Sequence, residues 1–392
     1  MEICKQDQCT GCFACVNICP KHCITMAEDE YGFIYPQIDE ERCIHCDACK
    51  RVCLNHREIS YHGTLHTYAA WARSSEDRQS SSSGGAASVF AQWVLDQGGV
   101  VFGAVWNDNN EACHACITKK RELGRLKGSK YVHSYINDTF TQCKRYLLKG
   151  NVVLFIGTPC QIEGLKGFLG YKEFTNLYLV DIVCHGVPSH KMLQQHLQRI
   201  LGKDGNKAYQ ISFRVNNQYK FIVRDSLKEI YRMKLSYDEY IRPFLEGAIC
   251  RPNCYTCKFA RPERVSDITL GDFWGIDKTL FEAEEGKGIS CVLIHTEKGQ
   301  QLLEQVKDKL ELTERSTDEA VKGNSQLKSP VYRNEKREKI LVQMRQGIHF
   351  DDAVRTVYAD EVKSKRFGYL KLLRRKINRA GHLAACFIHR NF

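Results

Sequence analysis

The chain has 392 residues, which is more than a single small module needs and indicates two or three domains. Hydrophobic residues make up 43% of the sequence and charged residues 26%, so extensive disorder and a collagen-like fibre are excluded. The formal net charge is +11, but no nucleic-acid-binding motif accompanies it, so no nucleic-acid partner is expected. No apolar run approaches the roughly 18 residues that span a membrane, and the first residues lack the pattern of an export signal. We therefore expect a cytoplasmic protein.

Twenty cysteines are present, and ten of them lie between Cys4 and Cys53. In a reducing compartment so many thiols indicate metal ligands or buried packing residues rather than disulfides. Residues 9–20 read C-x2-C-x2-C-x3-C-P, and residues 43–53 repeat the cysteine spacing 34 positions later. Zinc knuckles are an alternative, but zinc would leave several of these thiols unused.

In this spacing three thiolates wrap one cubane cluster and the fourth thiolate serves the other cluster. The repeat therefore predicts two [4Fe-4S] clusters, one held by Cys9, Cys12, Cys15 and Cys53 and the other by Cys43, Cys46, Cys49 and Cys19. Residues 1–60 resemble a bacterial-type two-cluster ferredoxin domain, in which residues 31–36 match the central hairpin. Leu54 departs from the proline that often follows the second motif, but that proline is not a ligand. Cys4 and Cys23 are surplus, and we interpret them as packing residues.

The chain after residue 66 alternates short apolar runs with amphipathic segments. This alternation predicts an α/β (α+β) fold with a mixed, partly parallel sheet behind the small ferredoxin domain. The predicted strands are 68–72, 100–105, 112–118, 151–156, 177–183, 266–275 (running into a Gly-Asp loop) and 288–296, and the predicted helices are 86–95, 139–149, 189–201 and 297–310.

A second group of cysteines lies in this α/β region. Cys160 and Cys184 follow predicted strands, at the ends where ligands bind in such sheets, and Cys254-x2-Cys257 comes later. Together these four residues predict a third [4Fe-4S] cluster, with Cys250 as the reserve ligand; a zinc site or plain burial are the alternatives. The remaining thiols are interpreted as structural: Cys113, Cys116, Cys143, Cys291 and Cys386. Cys113 and Cys116, for example, point to opposite faces of a strand.

Five motifs together resemble the family of coenzyme F420 hydrogenase/dehydrogenase beta subunits over residues 67–300. They are Ser81-Ser-Ser-Gly-Gly85, Lys127-Gly-Ser-Lys-Tyr131, Gly157-Thr-Pro-Cys-Gln161, Cys254-x2-Cys257 and Ser266-Asp-Ile-Thr-x-Gly-Asp-Phe-Trp-Gly275. The resemblance implies an iron–sulfur flavoprotein that holds FAD beside a [4Fe-4S] cluster and exchanges electrons with F420 or another organic acceptor.

The resemblance also implies which residues bind the flavin. Ser83, Gly84 and Gly85 open a helix, where free backbone N–H groups suit a pyrophosphate. Further phosphate donors are expected from Lys127, Ser129 and Lys130, ring contacts from Thr158 and Gln161, and a proton donor from His185. The alternatives are a flexible serine-rich linker, a solvated basic loop and a histidine that merely packs at a strand end.

The segment from Glu361 to Phe392 holds nine Lys or Arg residues and one acidic residue. With its interspersed leucines it predicts a basic amphipathic helix that contacts a membrane surface or an acidic protein, against the alternative of a solvated helix end. The expected domains are residues 1–60, 67–320 and a mainly helical extension, 321–392.

The favoured function is an oxidoreductase that takes electrons from an external one-electron donor such as ferredoxin and delivers them to an organic redox substrate. Electron transfer in the opposite direction, from the organic substrate to the external partner, is the alternative form of this hypothesis. The alternatives are a zinc-stabilised binding protein and a non-catalytic electron-transfer subunit.

Overall fold

The structure is a computed structural model. It describes residues 1–202, 209–215, 218–226, 228–234, 237–277, 279, 281, 284 and 286–359. The chain divides into two compact units, residues 1–334 and 335–392. In the second unit helix α11 spans Lys336–Arg345. The predicted basic helix beyond Glu361 lies outside the described residues, and the predicted domain boundaries stay predictions.

The N-terminal segment is a small duplicated module, as its sequence repeat predicts. Helices α1 (Ala14–Ile18) and α2 (Ala48–Val52) each begin inside one cysteine run, and an antiparallel hairpin of β1 (Ile24–Glu28) and β2 (Ile34–Ile38) joins the two halves. The residues that precede the helices, Phe13 and Asp47, have φ values of 62° and 53°. This shared left-handed turn folds both runs of cysteines in the same way.

The remaining elements of the first unit form the α/β body and its flanking turns. Its helices are α3 (Ser75–Gln79), α4 (Ala86–Asp96), α5 (Thr139–Leu148), α6 (Pro159–Phe168), α7 (His190–Leu201), α8 (Ile241–Leu245), α9 (Glu297–Glu304) and α10 (Thr317–Gly323). Its strands are β3 (His66–Ala72), β4 (Val100–Trp106), β5 (Ala112–Ile117), β6 (Val153–Gly157), β7 (Leu177–Ile182), β8 (Gln210–Val215), β9 (Gln218–Asp225), β10 (Lys228–Lys234), β11 (Ile268–Asp272), β12 (Ser290–Ile294) and β13 (Leu310–Glu314). Short 3-10 turns lie at Leu54–His56, Lys120–Arg125, Pro252–Thr256, Lys307–Lys309 and Ser325–Leu327.

The central sheet has eight strands in the order β13-β3-β12-β11-β7-β6-β4-β5. Strands β4, β6, β7 and β11 are mutually parallel, and the outer strands pair antiparallel. The inner parallel strands are short and apolar because both of their faces are covered. The predicted mixed-sheet α/β class is therefore confirmed.

Each face of the central sheet has its own core. On one face Phe102 and Phe155 pack with α5 and α6, and the same cluster includes Phe13 and Val52 of the cysteine-rich module. On the other face Val101 and Leu154 pack against helices α4 and α9. The module is thus joined to the α/β body through shared hydrophobic burial, which is the main source of stability at such a contact.

Two differences from the sequence predictions stand out. The helix predicted over 297–310 ends at Glu304, because Leu310 leaves it to begin β13 and pairs with Ala72. The three-stranded antiparallel sheet β10-β9-β8 has no counterpart among the predicted elements. Its alternating buried residues, such as Ile211 and Phe213 in β8, carry the signal that identifies a strand. Among the described residues no helix is both long enough and apolar enough to cross a membrane.

Candidate functional site

The cysteines of the N-terminal module converge on two cavities. One is lined by Cys9, Cys12, Cys15 and Cys53, which is the first predicted ligand set, together with Cys4. The other is lined by Cys43, Cys46, Cys49 and Cys19, which is the second predicted set, together with Cys23. The sharing of one cysteine between the two runs, expected from the spacing, is thus reproduced by the positions of the thiols. Sulfur donors grouped in this way suit iron–sulfur clusters.

The two surplus thiols lie close to predicted ligands. Cys23 Sγ is 3.4 Å from Cys19 Sγ. Hydrogen bonds with Cys53 and Cys9 raise the pKa of the Cys4 thiol far above its usual range. The bond to Cys4 and the charge of Arg251 lower the pKa of Cys9 to about 6. An acidic thiol of this kind is a good metal ligand, because the thiolate is the binding form.

A buried arginine fixes this module to the α/β body. Arg251 donates from Nε to the carbonyl oxygen of Cys9 and from Nη2 to that of Ile34, both at 2.7 Å. Its guanidinium lies 4.4 Å from the ring centroid of Tyr35. His133 Nε2 lies 3.1 Å from the carbonyl oxygen of Gly11, in the same turn. The first cysteine loop is therefore held by side chains from distant parts of the chain.

A cavity of about 420 Å³ lies at the carboxyl ends of the parallel strands. Loops that follow β6, β7 and β11 line it, which is the position expected for a ligand in such a sheet. Its residues include all four thiols of the third predicted cluster, Cys160, Cys184, Cys254 and Cys257. The sequence prediction that strand-end cysteines meet the later C-x2-C pair is therefore matched by their location.

Local structure explains how these four thiols reach one place. Cys160 is the second residue of α6, Cys184 follows β7 by two residues, and Cys254 lies in the 3-10 turn that ends just before Cys257. Burial raises the pKa of Cys184 to about 12, so metal binding has to displace its proton. Four converging sulfur donors suit an iron–sulfur cluster or zinc.

The reserve ligand, Cys250, is not among the residues that line this cavity. It is fully buried, and a Cβ placed on Gly186 would lie 2.8 Å from its Sγ. Gly186 itself has a φ of +125°. The positions thus support the preferred set over one that includes Cys250.

The first cysteine cavity and the third thiol set lie close together. A Cβ placed on Gly164 would be 3.0 Å from both Cβ and Sγ of Cys12. Gly164 follows Cys160 by four residues on α6, which is about one helical turn or roughly 6 Å along the axis. The small residue lets Cys12 approach the helix that carries Cys160.

The two segments predicted to bind phosphate contact each other, and both line the large cavity. The backbone N–H of Ser129 donates to Ser82 Oγ at 2.8 Å, and Lys127 Nζ lies 2.7 Å from Ser80 Oγ. Both segments line the cavity beside the first residues of α4, whose N-terminus opens toward it. This is the expected position for an anion, since a helix N-terminus offers free N–H groups. The predicted residues that line the cavity here are Ser83, Gly85, Lys127, Ser129 and Lys130.

Gly84 has a different environment from its neighbours. It is not among the residues that line the cavity, and a Cβ there would lie 2.3 Å from the carbonyl oxygen of Ala70. Its predicted contact with pyrophosphate therefore has no support from its position. The absence of a side chain at Gly84 is instead required for close packing on the sheet.

The two lysines of this region are already engaged by the protein. Lys127 Nζ lies 2.7 Å from Asp77 Oδ1. Burial opposes ionisation of Asp77, but hydrogen bonds from Lys127, Gln92 and Ser88 lower its pKa to about 2. Lys130 Nζ donates to the carbonyl oxygens of residues 125–128, and burial lowers the pKa of Lys130 to about 7. Free anion donors are therefore supplied mainly by backbone N–H groups.

Thr158 and Gln161 line the cavity but also cap α6. Gln161 Oε1 accepts the backbone N–H of Thr158 at 3.0 Å, and Gln161 Nε2 donates to the carbonyl oxygen of Ser134 at 3.0 Å. Thr158 Oγ1 lies 3.2 Å from Cys160 Sγ. These contacts indicate that both residues orient the start of α6, and with it Cys160.

His185 lines the cavity beside Cys184, as predicted. Its Nε2 lies 3.1 Å from the carbonyl oxygen of Phe244, and burial lowers the pKa of the imidazole. The ring is therefore neutral near pH 7, with Nε2–H donated to that carbonyl. Its predicted role as a proton donor stays a prediction, and this hydrogen bond does not favour it.

An aromatic wall of the large cavity was missed by the sequence analysis. Tyr131, Tyr219 and Trp274 line it, and Tyr219 and Trp274 are stacked with ring centroids 6.1 Å apart. The guanidinium of Arg214 lies 5.0 Å from the Tyr219 ring and is paired with Asp272. The motif Gly271-Asp-Phe-Trp-Gly275 contains Asp272 and Trp274. Its position at the end of β11 is the sequence signal that could have identified this wall.

Comparisons with known proteins agree with this geometry. Residues 150–320 match the C-terminal part of the family described as "Coenzyme F420 hydrogenase/dehydrogenase, beta subunit". Residues 8–56 match the 4Fe-4S dicluster domain. The predicted resemblance and the presence of an iron–sulfur domain are confirmed.

Two curated proteins are similar to most of the chain. One is the F component of the F(420)H(2) dehydrogenase of Methanosarcina mazei, 21% identical over 80% of this chain and 86% of that protein. The other is coenzyme F420-dependent sulfite reductase of Methanocaldococcus jannaschii, 22% identical over 85% of this chain but only 51% of that protein. A chain in a structure of the F420-reducing [NiFe] hydrogenase complex from Methanosarcina barkeri matches with a TM-score of 0.46 and 16% identity, covering 73% of this chain and 96% of that one.

Proposed function

We propose that the chain is an FAD-dependent iron–sulfur oxidoreductase, since residues 150–320 match the family of coenzyme F420 hydrogenase/dehydrogenase beta subunits and residues 8–56 match a 4Fe-4S dicluster domain. It exchanges electrons between an external one-electron donor such as ferredoxin and an organic substrate. The observation that carries this proposal is one cavity that contains both four converging thiols and the N-terminus of α4. When bound, the clusters supply one-electron transfer and the flavin couples two such transfers to hydride chemistry.

The organic substrate is proposed to be F420 or a similar acceptor. Both curated relatives carry F420 in their names, one as part of a dehydrogenase and the other as a sulfite reductase. The aromatic wall of Tyr131, Tyr219 and Trp274 gives a planar ring a surface to stack on. We favour the reductase direction, because an attached two-cluster module is a natural entry point for low-potential electrons.

Two positions in the chain support one order for linking the three thiol sets. In the second set Cys46 is exposed, so an external donor can approach it. In the first set Cys12 touches the helix of Cys160 at Gly164. The proposed order runs from the Cys46 set to the Cys12 set and then to the Cys160 set, next to the cavity that holds the organic cofactor.

Enlarging Gly164 tests this order. We expect Gly164→Ala to slow reduction of the flavin by reduced ferredoxin several-fold, because the added Cβ pushes Cys12 away from α6 by a few tenths of an ångström. The rates are measured by anaerobic stopped-flow absorbance. Gly124→Ala is the matched control, since a Cβ there has no neighbour within 4 Å. Equal rates in the two variants would contradict the proposed route.

A charge change at the start of α4 tests the flavin site. Ala87 lines the cavity in the first turn of α4. We expect Ala87→Glu to weaken FAD binding at least about tenfold, because a carboxylate next to a diphosphate is repelled. Ala87→Gln has the same size without the charge and serves as the control. The Glu variant should still fold, since an acidic residue in the first helical turn is favourable.

Each protein is passed through an anaerobic gel-filtration column, and the FAD that stays bound is released by heat and measured by its fluorescence. The retained fraction compares FAD binding among the variants. The site predicts that the wild type and Ala87→Gln keep FAD while Ala87→Glu loses it. If all three proteins retain FAD equally, the diphosphate is bound elsewhere. If the wild type binds no FAD under any condition, the flavin part of the proposal is wrong.

A second candidate function is an electron-transfer subunit that passes electrons to another protein. It is favoured by the name of one curated relative, which is a subunit of a dehydrogenase. Turnover of F420 by the purified chain alone distinguishes the two candidates. The dicluster match favours iron–sulfur clusters over the zinc-stabilised alternative.

A further inference from the structure

Each cavity of the cysteine-rich module contains one thiol more than a four-ligand cluster needs. Cys4 is the fifth thiol in the cavity of Cys9, Cys12, Cys15 and Cys53. Cys23 is the fifth thiol in the cavity of Cys43, Cys46, Cys49 and Cys19. Neither residue belongs to the repeated spacing, so neither is required to complete a ligand set.

The two surplus thiols have equivalent neighbours in the two cavities. Cys4 lines the cavity that contains Cys9, the first cysteine of one run, and Cys53, the last cysteine of the other. Cys23 lines the cavity that contains Cys43, again the first cysteine of a run, and Cys19, again the last. The Cys19–Cys23 pair has an Sγ···Sγ distance of 3.4 Å.

This equivalence does not follow from the duplication. Cys4 precedes the first cysteine run by five residues, and Cys23 follows the same run by four. The two thiols therefore do not occupy matching positions of the two repeats. Two different chain segments therefore each place a fifth thiol in one of the two cavities.

We propose that Cys4 and Cys23 are positioning residues that donate S–H hydrogen bonds to the ligand sulfurs and raise the reduction potentials of the two N-terminal clusters. A cysteine that is not a metal ligand offers one S–H donor. Hydrogen bonds to the sulfurs of a cluster are one of the factors that set its potential, because they favour the more negative reduced state. The inference rests on the iron–sulfur part of the proposed function and not on the flavin.

The test compares Cys4→Ala, Cys4→Ser, Cys23→Ala and Cys23→Ser in the full chain, purified without oxygen. Potentials are read from redox titrations followed by electron paramagnetic resonance, with iron and sulfide contents measured on the same samples. We expect Cys4→Ala to lower one potential and Cys23→Ala to lower the other. Each shift corresponds to up to about tenfold in the equilibrium constant for one-electron reduction, or about 59 mV. Iron content should stay at the wild-type value.

The serine variants separate hydrogen bonding from packing, because a hydroxyl keeps a donor in place of the thiol. Their potentials should lie nearer to the wild type than those of the alanine variants. Cys113→Ala is the control for removal of a partly buried thiol outside the two cavities and should move neither potential.

Three results would overturn the inference. Unchanged potentials in both alanine variants would show that the thiols do not act on the clusters. Equal shifts for alanine and serine would reduce their role to packing. Loss of about four irons from either alanine variant would make that residue a ligand. A wild-type chain without iron and sulfide would instead show that the proposed function itself is wrong, which the iron assay reveals before any variant is compared.

Discussion

We expect replacement of Cys160 with alanine to remove the iron of the proposed third cluster, about one third of the iron of three [4Fe-4S] clusters, and to abolish reduction of the proposed flavin by external electrons. Cys160 is the second residue of α6 and lines the same cavity as Cys184, Cys254 and Cys257. Removing one of the four thiolates that hold such a cluster weakens its attachment to the protein. The two N-terminal cavities contain none of these thiols, so the electron paramagnetic resonance signals of the clusters proposed there should remain. Iron and sulfide analysis with spectra of the reduced protein measures both effects.

Cys250→Ala is the matched control for this variant. Cys250 precedes Cys254 by four residues, but it is not among the residues that line the large cavity. We expect the Cys250→Ala protein to retain the iron content of the wild type. If Cys250→Ala loses iron while Cys160→Ala keeps it, the assignment of the third ligand set is wrong.

Replacing Arg264 with methionine will lower the free energy of unfolding of residues 1–334 by about 3–5 kcal/mol, the cost of leaving a buried carboxylate without its partner. Arg264 Nη2 lies 3.0 Å from Asp181 Oδ1, and both side chains are at most 2% exposed. Arg264 also donates to the carbonyl oxygens of Phe259 and Ile182. It therefore ties the chain after Cys257 to the end of β7, and thermal or urea unfolding of the anaerobic protein measures its contribution.

Arg261→Met provides the comparison for the loss of Arg264. Arg261 is paired with Glu263, and their side chains are 46% and 43% exposed. Exposed pairs of this kind contribute about 0–1 kcal/mol, so this variant should unfold almost like the wild type. If both variants lost a similar free energy of unfolding, the buried Arg264–Asp181 pair would contribute no more to stability than the exposed Arg261–Glu263 pair.

The grouping of the cysteines was predictable because it depends on local spacing and on a general property of parallel sheets. Cysteines separated by two residues in a tight turn form one group of thiols, so the repeat predicted four of the five cysteines in each N-terminal cavity. Cys160 and Cys184 were placed together because neighbouring parallel strands end at the same edge. Neither inference required knowledge of side-chain contacts between distant segments.

The roles of the phosphate-region side chains were less predictable for the opposite reason. The sequence shows Lys127 as a free cation, but a carboxylate 50 residues earlier, Asp77, pairs with it. Lys130 turns its amine onto nearby carbonyl oxygens, and Gly84 packs on a strand. Such pairings depend on how helices α3 and α4 lie on the sheet, which local patterns do not specify.

The small antiparallel sheet was missed although β8 has a strand pattern, in which the buried Ile211 and Phe213 alternate with the polar Ser212 and Arg214. The alternation assigns Arg214 to solvent, but its side chain is buried because it is paired with Asp272 of β11. Local alternation does not specify a pairing between strands so far apart in the sequence. The aromatic wall of the cavity depends on this sheet through Tyr219.

The central claim is that thiol-bound clusters deliver electrons to an organic cofactor in the cavity of α4 and Cys160. Anaerobic rapid mixing of the loaded protein with reduced ferredoxin tests it most directly, with absorbance followed at wavelengths specific for the clusters and for the flavin. The account predicts that the clusters are reduced first and the flavin afterwards, within a single turnover. A flavin that stays oxidised while the clusters become fully reduced, or a loaded protein without flavin, would contradict it.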